Sequence, residues 1–214
     1  MKWLDSLERR FHWLTIPQFP LFIATANGLI YLMAQFEPLF VQRLTLDPAA
    51  VRAGEWWRVI TFIFVPPISM NPIFLVLWLL FLYQVVTALE NTWGEFRFFF
   101  FYMIGAAMTV LASLFILNEP IGNVSLNTSI YLAFATIFPE FEILIFPLPW
   151  GIKVKYLAWA GWVIIGFSFV LGSFGTKIAI SASLSNYMLF FGADIWRAVL
   201  LRWEVHRNRQ RFRR

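Results

Sequence analysis

Serine, threonine and asparagine side chains gather within two apolar stretches of this 214-residue chain, where a serine hydroxyl could act as a nucleophile. The residues concerned are Asn123, Ser125, Asn127, Thr128 and Ser129 in one stretch, and Ser185 in the other. A serine attacks a carbonyl only when a neighbouring base takes its proton, and histidine is the most common base. The two histidines, His12 and His206, both lie outside the apolar stretches. We therefore predict that the chain has no catalytic residue.

Two other ionisable groups could replace the missing histidine. Lys177 could pair with Ser125 or Ser129, but we place it in a loop, where a lysine is usually solvated. Asp194 lies three residues before Arg197, and we interpret the two as a structural ion pair on one helix face. An atypical protease that uses Ser125 or Ser129 is thus the alternative to an inactive protein.

The composition places the chain in a membrane. Hydrophobic residues make up 60% and charged residues 14%, whereas soluble domains carry roughly 25% charged residues. About 20 apolar residues cross the hydrocarbon core of a bilayer, and we predict six spans at 19–36, 73–89, 98–117, 126–138, 156–174 and 178–200. The fold class is therefore all-α, a polytopic bundle formed by one domain, 1–214, with a basic tail at 201–214.

The chain also lacks cysteine, which excludes disulfides and thiolate metal sites. We expect no metal and no cofactor. The first apolar stretch is not followed by a small-residue cleavage site, so we interpret it as a retained span and expect the chain to be complete.

The predicted fourth span is too short to cross the bilayer alone. Residues 126–138 rise about 20 Å as a helix, whereas the hydrocarbon core is roughly 30 Å thick. The polar residues Asn123–Ser129 lie at its start, and lipid would reject them. We therefore predict a water-filled notch walled by other spans, with these side chains on its rim.

Several segments resemble, in order and spacing, the rhomboid family of intramembrane serine proteases. They are Gly54–Thr61 with its Trp57-Arg58 pair, Ala88–Glu90 followed by Gly94, Phe96–Gly105, Ala133–Pro139, and the loop segments Glu142–Pro149 and Lys155–Trp159. A local resemblance to the derlins rests on Trp57-Arg58, Thr61–Phe64 and Leu89-Glu90. The resemblance implies a six-helix rhomboid-like bundle with structural roles for Trp57, Arg58, Glu90, Gly94, Gly122 and Gly192.

The same alignment shows where the chain departs from active rhomboids. The family's Gly-x-Ser-x motif falls on Gly122–Ser125, which places Val124 at the nucleophile position. The family's catalytic histidine falls near Ser185. The resemblance therefore implies a pseudoprotease.

For the function we predict a catalytically inactive membrane protein that binds transmembrane segments or other membrane-protein clients at the polar notch. Membrane lipids are its other expected partner. A small-solute transporter is a further alternative, disfavoured because the sequence shows neither an inverted repeat nor a series of paired intramembrane charges. We expect no nucleic-acid partner, since the basic tail suits an anchor on anionic lipid.

The distribution of lysine and arginine predicts the orientation. With the N-terminus inside, thirteen of the seventeen basic residues fall in inner segments, and the outer segments hold only Arg43, Arg52, Arg58 and Lys177. Positively charged loops stay in the cytoplasm. We therefore expect a multi-pass protein with both termini cytoplasmic, in a bacterial plasma membrane.

This orientation can be tested with single cysteines, because the chain has none of its own. A cysteine at Lys177 should react with a membrane-impermeant maleimide from the outside, and one at Lys153 only after permeabilisation. Labelling of Lys177→Cys from the cytoplasmic side alone would contradict the predicted topology.

Overall fold

The computed structural model describes residues 8–11, 15–67, 71–144, 151–182 and 184–192. Its helices, numbered in chain order, are α1 (Phe19–Phe36), α2 (Pro38–Gln42), α3 (Pro48–Arg52), α4 (Arg58–Thr61), α5 (Pro72–Trp93), α6 (Glu95–Leu111), α7 (Val124–Ile137) and α8 (Val154–Leu171). A 3-10 turn, Phe62–Phe64, follows α4, and a π-helical turn, Ala112–Leu117, extends α6. Residues 174–182 and 184–192 are also helical. The helical fold class is confirmed.

Four of these helices are long and apolar enough to cross a membrane. They are α1, α5, α6 with its π-helical extension, and α8. Helix α7 is shorter, with an apolar part of Leu126–Ile137, and only residues up to 192 of the predicted last span lie within the described chain. The described residues thus establish a multi-pass helical protein with four long spans, and the predicted number of six is not reached within them.

The ends of α5 follow from local chemistry. Asn71 caps the helix by accepting a hydrogen bond from the Ile73 amide at 3.0 Å, and Pro72 occupies the first turn, where no amide hydrogen is needed. A single residue, Gly94, separates α5 from α6. Its φ of 87° lies in the region that favours glycine. The chain therefore reverses between two spans at one glycine.

Aromatic side chains form much of the core between the spans. Phe19 of α1 meets Phe99 and Tyr102 of α6 edge-on, with ring centroids 5.2 Å apart in both pairs. In the same turn of α6, Phe101 packs against Phe190 with centroids 5.1 Å apart. By contrast α8 buries little of its surface, and many of its large apolar side chains are exposed. In a membrane protein such a face is the one that contacts lipid.

A small antiparallel hairpin precedes α8, where the sequence predicts only a loop. Strands β1 (Glu142–Leu144) and β2 (Gly151–Lys153) pair in the register Glu142 with Lys153. Residues 145–150 of the predicted loop lie outside the described residues. Outside the hairpin, Glu140 accepts hydrogen bonds from Lys153 at 2.7 Å and Lys155 at 2.5 Å. These two ammonium groups lower the pKa of the Glu140 carboxyl to about 2.

Candidate functional site

Arg58 holds the long connection between α1 and α5. Its side chain is 9% exposed, and its guanidinium donates to the carbonyl oxygens of Gln42 and Thr45, the latter at 3.0 Å. It also forms an ion pair with Glu55 at 2.5 Å. A buried guanidinium needs such a set of acceptors, because an unpaired charge would be strongly unfavourable there. Arg58 therefore fixes the loop to the start of α4.

The neighbours of Arg58 bind the same stretch of backbone. The Trp57 indole donates to the carbonyl of Arg43 at 3.2 Å, and the Thr61 hydroxyl to the carbonyl of Leu44 at 3.0 Å. Trp57 and Arg58 are the adjacent pair for which the family resemblance predicts structural roles. The structure gives each of them hydrogen bonds to loop carbonyls.

The loop in turn holds the beginning of α7. Asn123 is 5% exposed, and its amide donates to the Ile63 carbonyl at 3.1 Å. The Tyr102 hydroxyl reaches the same oxygen at 3.4 Å. On the other side, Ile121 forms an isolated bridge with Leu46. The predicted rim residue Asn123 is thus a buried support of α7.

Val124 and Ser185, the positions at which the family resemblance predicts the degenerate catalytic pair, carry side chains of different character. Val124, the first residue of α7, is 73% exposed. The Ser185 hydroxyl donates to the Ala182 carbonyl within its own helical segment at 2.6 Å. Ser125 lies in the first turn of α7.

Ser129 and Asn186 form the buried polar contact of the bundle interior. Both are 0% exposed. The Asn186 amide donates to the Ser129 hydroxyl at 3.0 Å, and that hydroxyl donates to the Leu126 carbonyl at 2.7 Å. The hydroxyl is therefore engaged and unreachable from solvent. Sequence reasoning weighed Ser129 as a nucleophile and missed Asn186, which lies beside the predicted Ser185.

The same contact depends on the absence of a side chain at Gly105 of α6. A Cβ atom there would lie 2.5 Å from Asn186 Nδ2 and 2.6 Å from Leu126 Cδ1. Three segments therefore meet where α6 has its smallest residue. Thr109, one turn further along α6, is also buried and donates to the Gly105 carbonyl at 2.9 Å. Small residues at this spacing let helices approach closely.

Of the predicted rim, Asn127 and Thr128 line a cavity of about 370 Å³ between α5, α7 and α8. Its remaining walls are the turn residues Val65–Pro67, Trp78 of α5, Tyr131 and Leu132 of α7, and Leu157, Ala158 and Gly161 of α8, with Gly122 to Val124 at one end. Most of these groups are apolar. The cavity replaces the predicted water-filled notch with a largely apolar recess that carries a few polar groups.

Asn127 is the polar group without a partner in this recess. Its side chain makes no hydrogen bond to the described residues, whereas the Thr128 hydroxyl donates to the Val124 carbonyl at 2.8 Å. Together with Trp78 and Tyr131, Asn127 also lines a second cavity of about 190 Å³ that lies further along α5. The predicted cluster therefore divides into buried supports, Asn123 and Ser129, and one free amide, Asn127.

The remaining predicted structural residues lie apart from the cavity, except Gly122. Glu90 is near the end of α5, and its Oε1 is buried without a hydrogen-bond partner in the described part of the chain. Gly94 forms the turn between α5 and α6, and Gly192 ends the last described helical segment. Gly122 and Gly192 each have open space where a Cβ would lie, so close packing requires a glycine at neither position.

The apolar spans, the buried polar contacts between them and the intramembrane recess define a polytopic helical membrane protein. The chain belongs to the family "Eukaryotic integral membrane protein (DUF1751)", whose model matches residues 19–193. A comparison with curated proteins gives no match. The family is eukaryotic, so the predicted location in a bacterial plasma membrane is wrong, while the prediction of an integral membrane protein is confirmed.

The close packing at Gly105 gives a test of the bundle interior. Gly105→Ala should lower the free energy of unfolding by about 1–3 kcal/mol, because the added methyl overpacks a filled site. Unfolding in detergent micelles with increasing SDS, followed by tryptophan fluorescence, measures the change. Gly166→Ala is the matched control, since a Cβ at Gly166 meets nothing within 4 Å. Equal stability of both variants would contradict the described contact between α6, α7 and segment 184–192.

Proposed function

We propose that this chain is a non-proteolytic, rhomboid-like membrane protein that binds transmembrane segments of client proteins in the recess between α5, α7 and α8. The unpartnered Asn127 amide in that recess is the observation that carries the proposal. Asn127 is half-buried, and complete burial of a polar group without a hydrogen bond costs about 1–3 kcal/mol. A client that supplies a hydrogen-bond partner therefore binds more favourably than acyl chains, which supply none.

The shape of α7 supports this location. Its apolar part, Leu126–Ile137, rises about 18 Å and leaves the outer part of the span to loops and the recess. Around a short hydrophobic element the bilayer thins or the neighbouring helices adapt. A client segment that is itself marginally apolar finds here both a shorter hydrophobic path and polar groups.

The walls of the recess suit the side of a helix. Trp78 of α5 and Leu157, Ala158 and Gly161 of α8 lie across the recess from one another. The small residues Ala158 and Gly161 permit close approach of a helix backbone. Because α8 is mostly exposed, it can shift without disrupting a large buried surface.

The absence of proteolysis is part of the proposal, and several observations support it. Val124 stands at the aligned nucleophile position, the Ser129 hydroxyl is buried and donates to a backbone carbonyl, and neither histidine of the chain lies in an apolar stretch. Without the dyad, hydrolysis by a rhomboid-like site loses most of its rate.

Site-specific crosslinking tests the client proposal. A photoreactive amino acid at Asn127 or at Trp78 should trap membrane-spanning partners, identified by mass spectrometry. Asn127→Leu should reduce capture by a crosslinker at Trp78 about tenfold, the effect of losing one strong hydrogen bond. Thr92→Val is the control, because the Thr92 hydroxyl is exposed, bonds within its own helix to the Ala88 carbonyl and lies outside the recess. Efficient capture from Arg209 in the basic tail, with none from the recess, would place the working surface at the C-terminus.

Serine-directed probes test the absence of chemistry. The purified protein should not react with a fluorophosphonate under conditions that label an active rhomboid protease. The protease alternative makes the opposite prediction, namely labelling that disappears in Ser125→Ala or Ser129→Ala. A lack of labelling in a sample that still binds clients supports the proposed function.

A further inference from the structure

Helix α5 carries a second set of unpartnered polar side chains, away from the recess. Gln84, Thr87 and Asn91 follow one another at intervals of three and four residues, which places them along one face of the helix. None of the three side chains has a hydrogen-bond partner among the described residues, and the Thr87 hydroxyl oxygen is buried. Thr92, one residue beyond this face, instead donates to its own helix at the Ala88 carbonyl, 2.8 Å away.

This polar face forms one wall of a separate cavity of about 360 Å³. The opposite wall consists of three aromatic rings, Phe134, Phe138 and Phe141, at the end of α7 and just beyond it. The volume is within the range of small-molecule sites, about 300–1,000 Å³. The cavity thus pairs an amide and hydroxyl stripe with an aromatic wall, an arrangement that fits an amphiphilic molecule.

The depth of the stripe restricts the ligand. Asn91 lies about 3 Å from the end of α5 at Trp93, Thr87 about 9 Å and Gln84 about 13 Å, at 1.5 Å per residue. Acyl chains alone offer no hydrogen bond at these depths, and a charged headgroup is expensive to draw so far into the hydrocarbon. A lipid with hydroxyl and ester groups but no charge can form hydrogen bonds at these depths.

The residues around the cavity agree with an uncharged ligand. Its lining residues are all neutral. The nearest described charged residues in sequence are both acidic, namely Glu90 beside Asn91 and Glu140 beside Phe141, and Glu140 already pairs with Lys153 and Lys155. Beyond Gln84, towards the centre of the span, α5 exposes Leu80 and Leu77, along which acyl chains can run.

We propose that the cavity between Gln84, Thr87 and Asn91 of α5 and the phenylalanines at and beyond the end of α7 binds a diacylated lipid whose headgroup contains no ionised group, with its glycerol hydroxyl and ester groups on the polar stripe. Amides and a hydroxyl both donate and accept hydrogen bonds, so they match the hydroxyl donor and the ester acceptors together. This site is distinct from the client recess and does not depend on it.

Two photoactivatable lipids with the same diazirine acyl chain test the proposal, one a diacylglycerol and the other a phosphatidylcholine. With the full-length protein in detergent–lipid micelles, the diacylglycerol should label peptides that contain residues 83–91 or 134–141. The double variant Gln84→Leu/Thr87→Val should lower this labelling about tenfold, because two hydrogen bonds are lost. Thr92→Val should leave it unchanged, as the matched removal of a hydroxyl outside the cavity.

A second variant distinguishes loss of the lipid site from a folding defect. Ala88→Phe fills the cavity from α5 and should also abolish diacylglycerol labelling, while client capture from Asn127 persists in both variants. Labelling that survives Gln84→Leu/Thr87→Val and Ala88→Phe overturns the proposal. Phosphatidylcholine labelling that depends equally on these residues overturns the restriction to uncharged lipids. Loss of client capture with unchanged lipid labelling shows that the stripe serves a protein partner instead.

Discussion

Helix α7 is shorter than the hydrocarbon core is thick, and much of the structure around α7 compensates for that short length. A helix that cannot cross the membrane alone leaves backbone and polar groups at its start that lipid does not satisfy. Here the loop between α1 and α5 reaches in, and Asn123 binds its Ile63 carbonyl. Arg58 keeps that loop in place through the carbonyls of Gln42 and Thr45. Arg58 therefore supports α7 indirectly: it holds the loop, and the loop holds Asn123 at the start of α7.

Sequence reasoning could identify the apolar spans and the short helix, because both follow from the length and composition of uninterrupted apolar runs. It could not predict which residues of the polar cluster 123–129 face the bundle interior and which face the cavities. Residues 123–129 are adjacent in sequence, but successive helical residues point about 100° apart, so Ser129 faces the bundle interior while Asn127 faces the cavities. Which direction is inward depends on Gly105 and Asn186, and these belong to other segments. The bacterial location was wrong because topology rules contain no information about the organism.

Val124 and Ser129 of α7 differ in how strongly the surrounding structure constrains them. Its side chain is largely exposed at the start of α7, so no buried contact forces a particular residue there. Ser129, by contrast, is held by two hydrogen bonds in the interior, and its replacement would disturb packing. The residues that support the bundle are thus separate from the position where the proposed ancestry would place chemistry. The residue at position 124 can therefore change while the residues that support the bundle stay the same.

Two sets of polar groups inside the membrane differ in whether the folded chain supplies their hydrogen-bond partners. Asn123, Ser129 and Asn186 are buried and have partners, so they contribute to the fold and offer nothing to a ligand. Asn127, Gln84 and Asn91 have no partner within the described chain and line cavities. Lipid tails cannot form hydrogen bonds with these side chains, and the described residues form none with them. A molecule that enters the cavities can supply hydrogen bonds to these groups, and both proposed sites lie between α5 and α7.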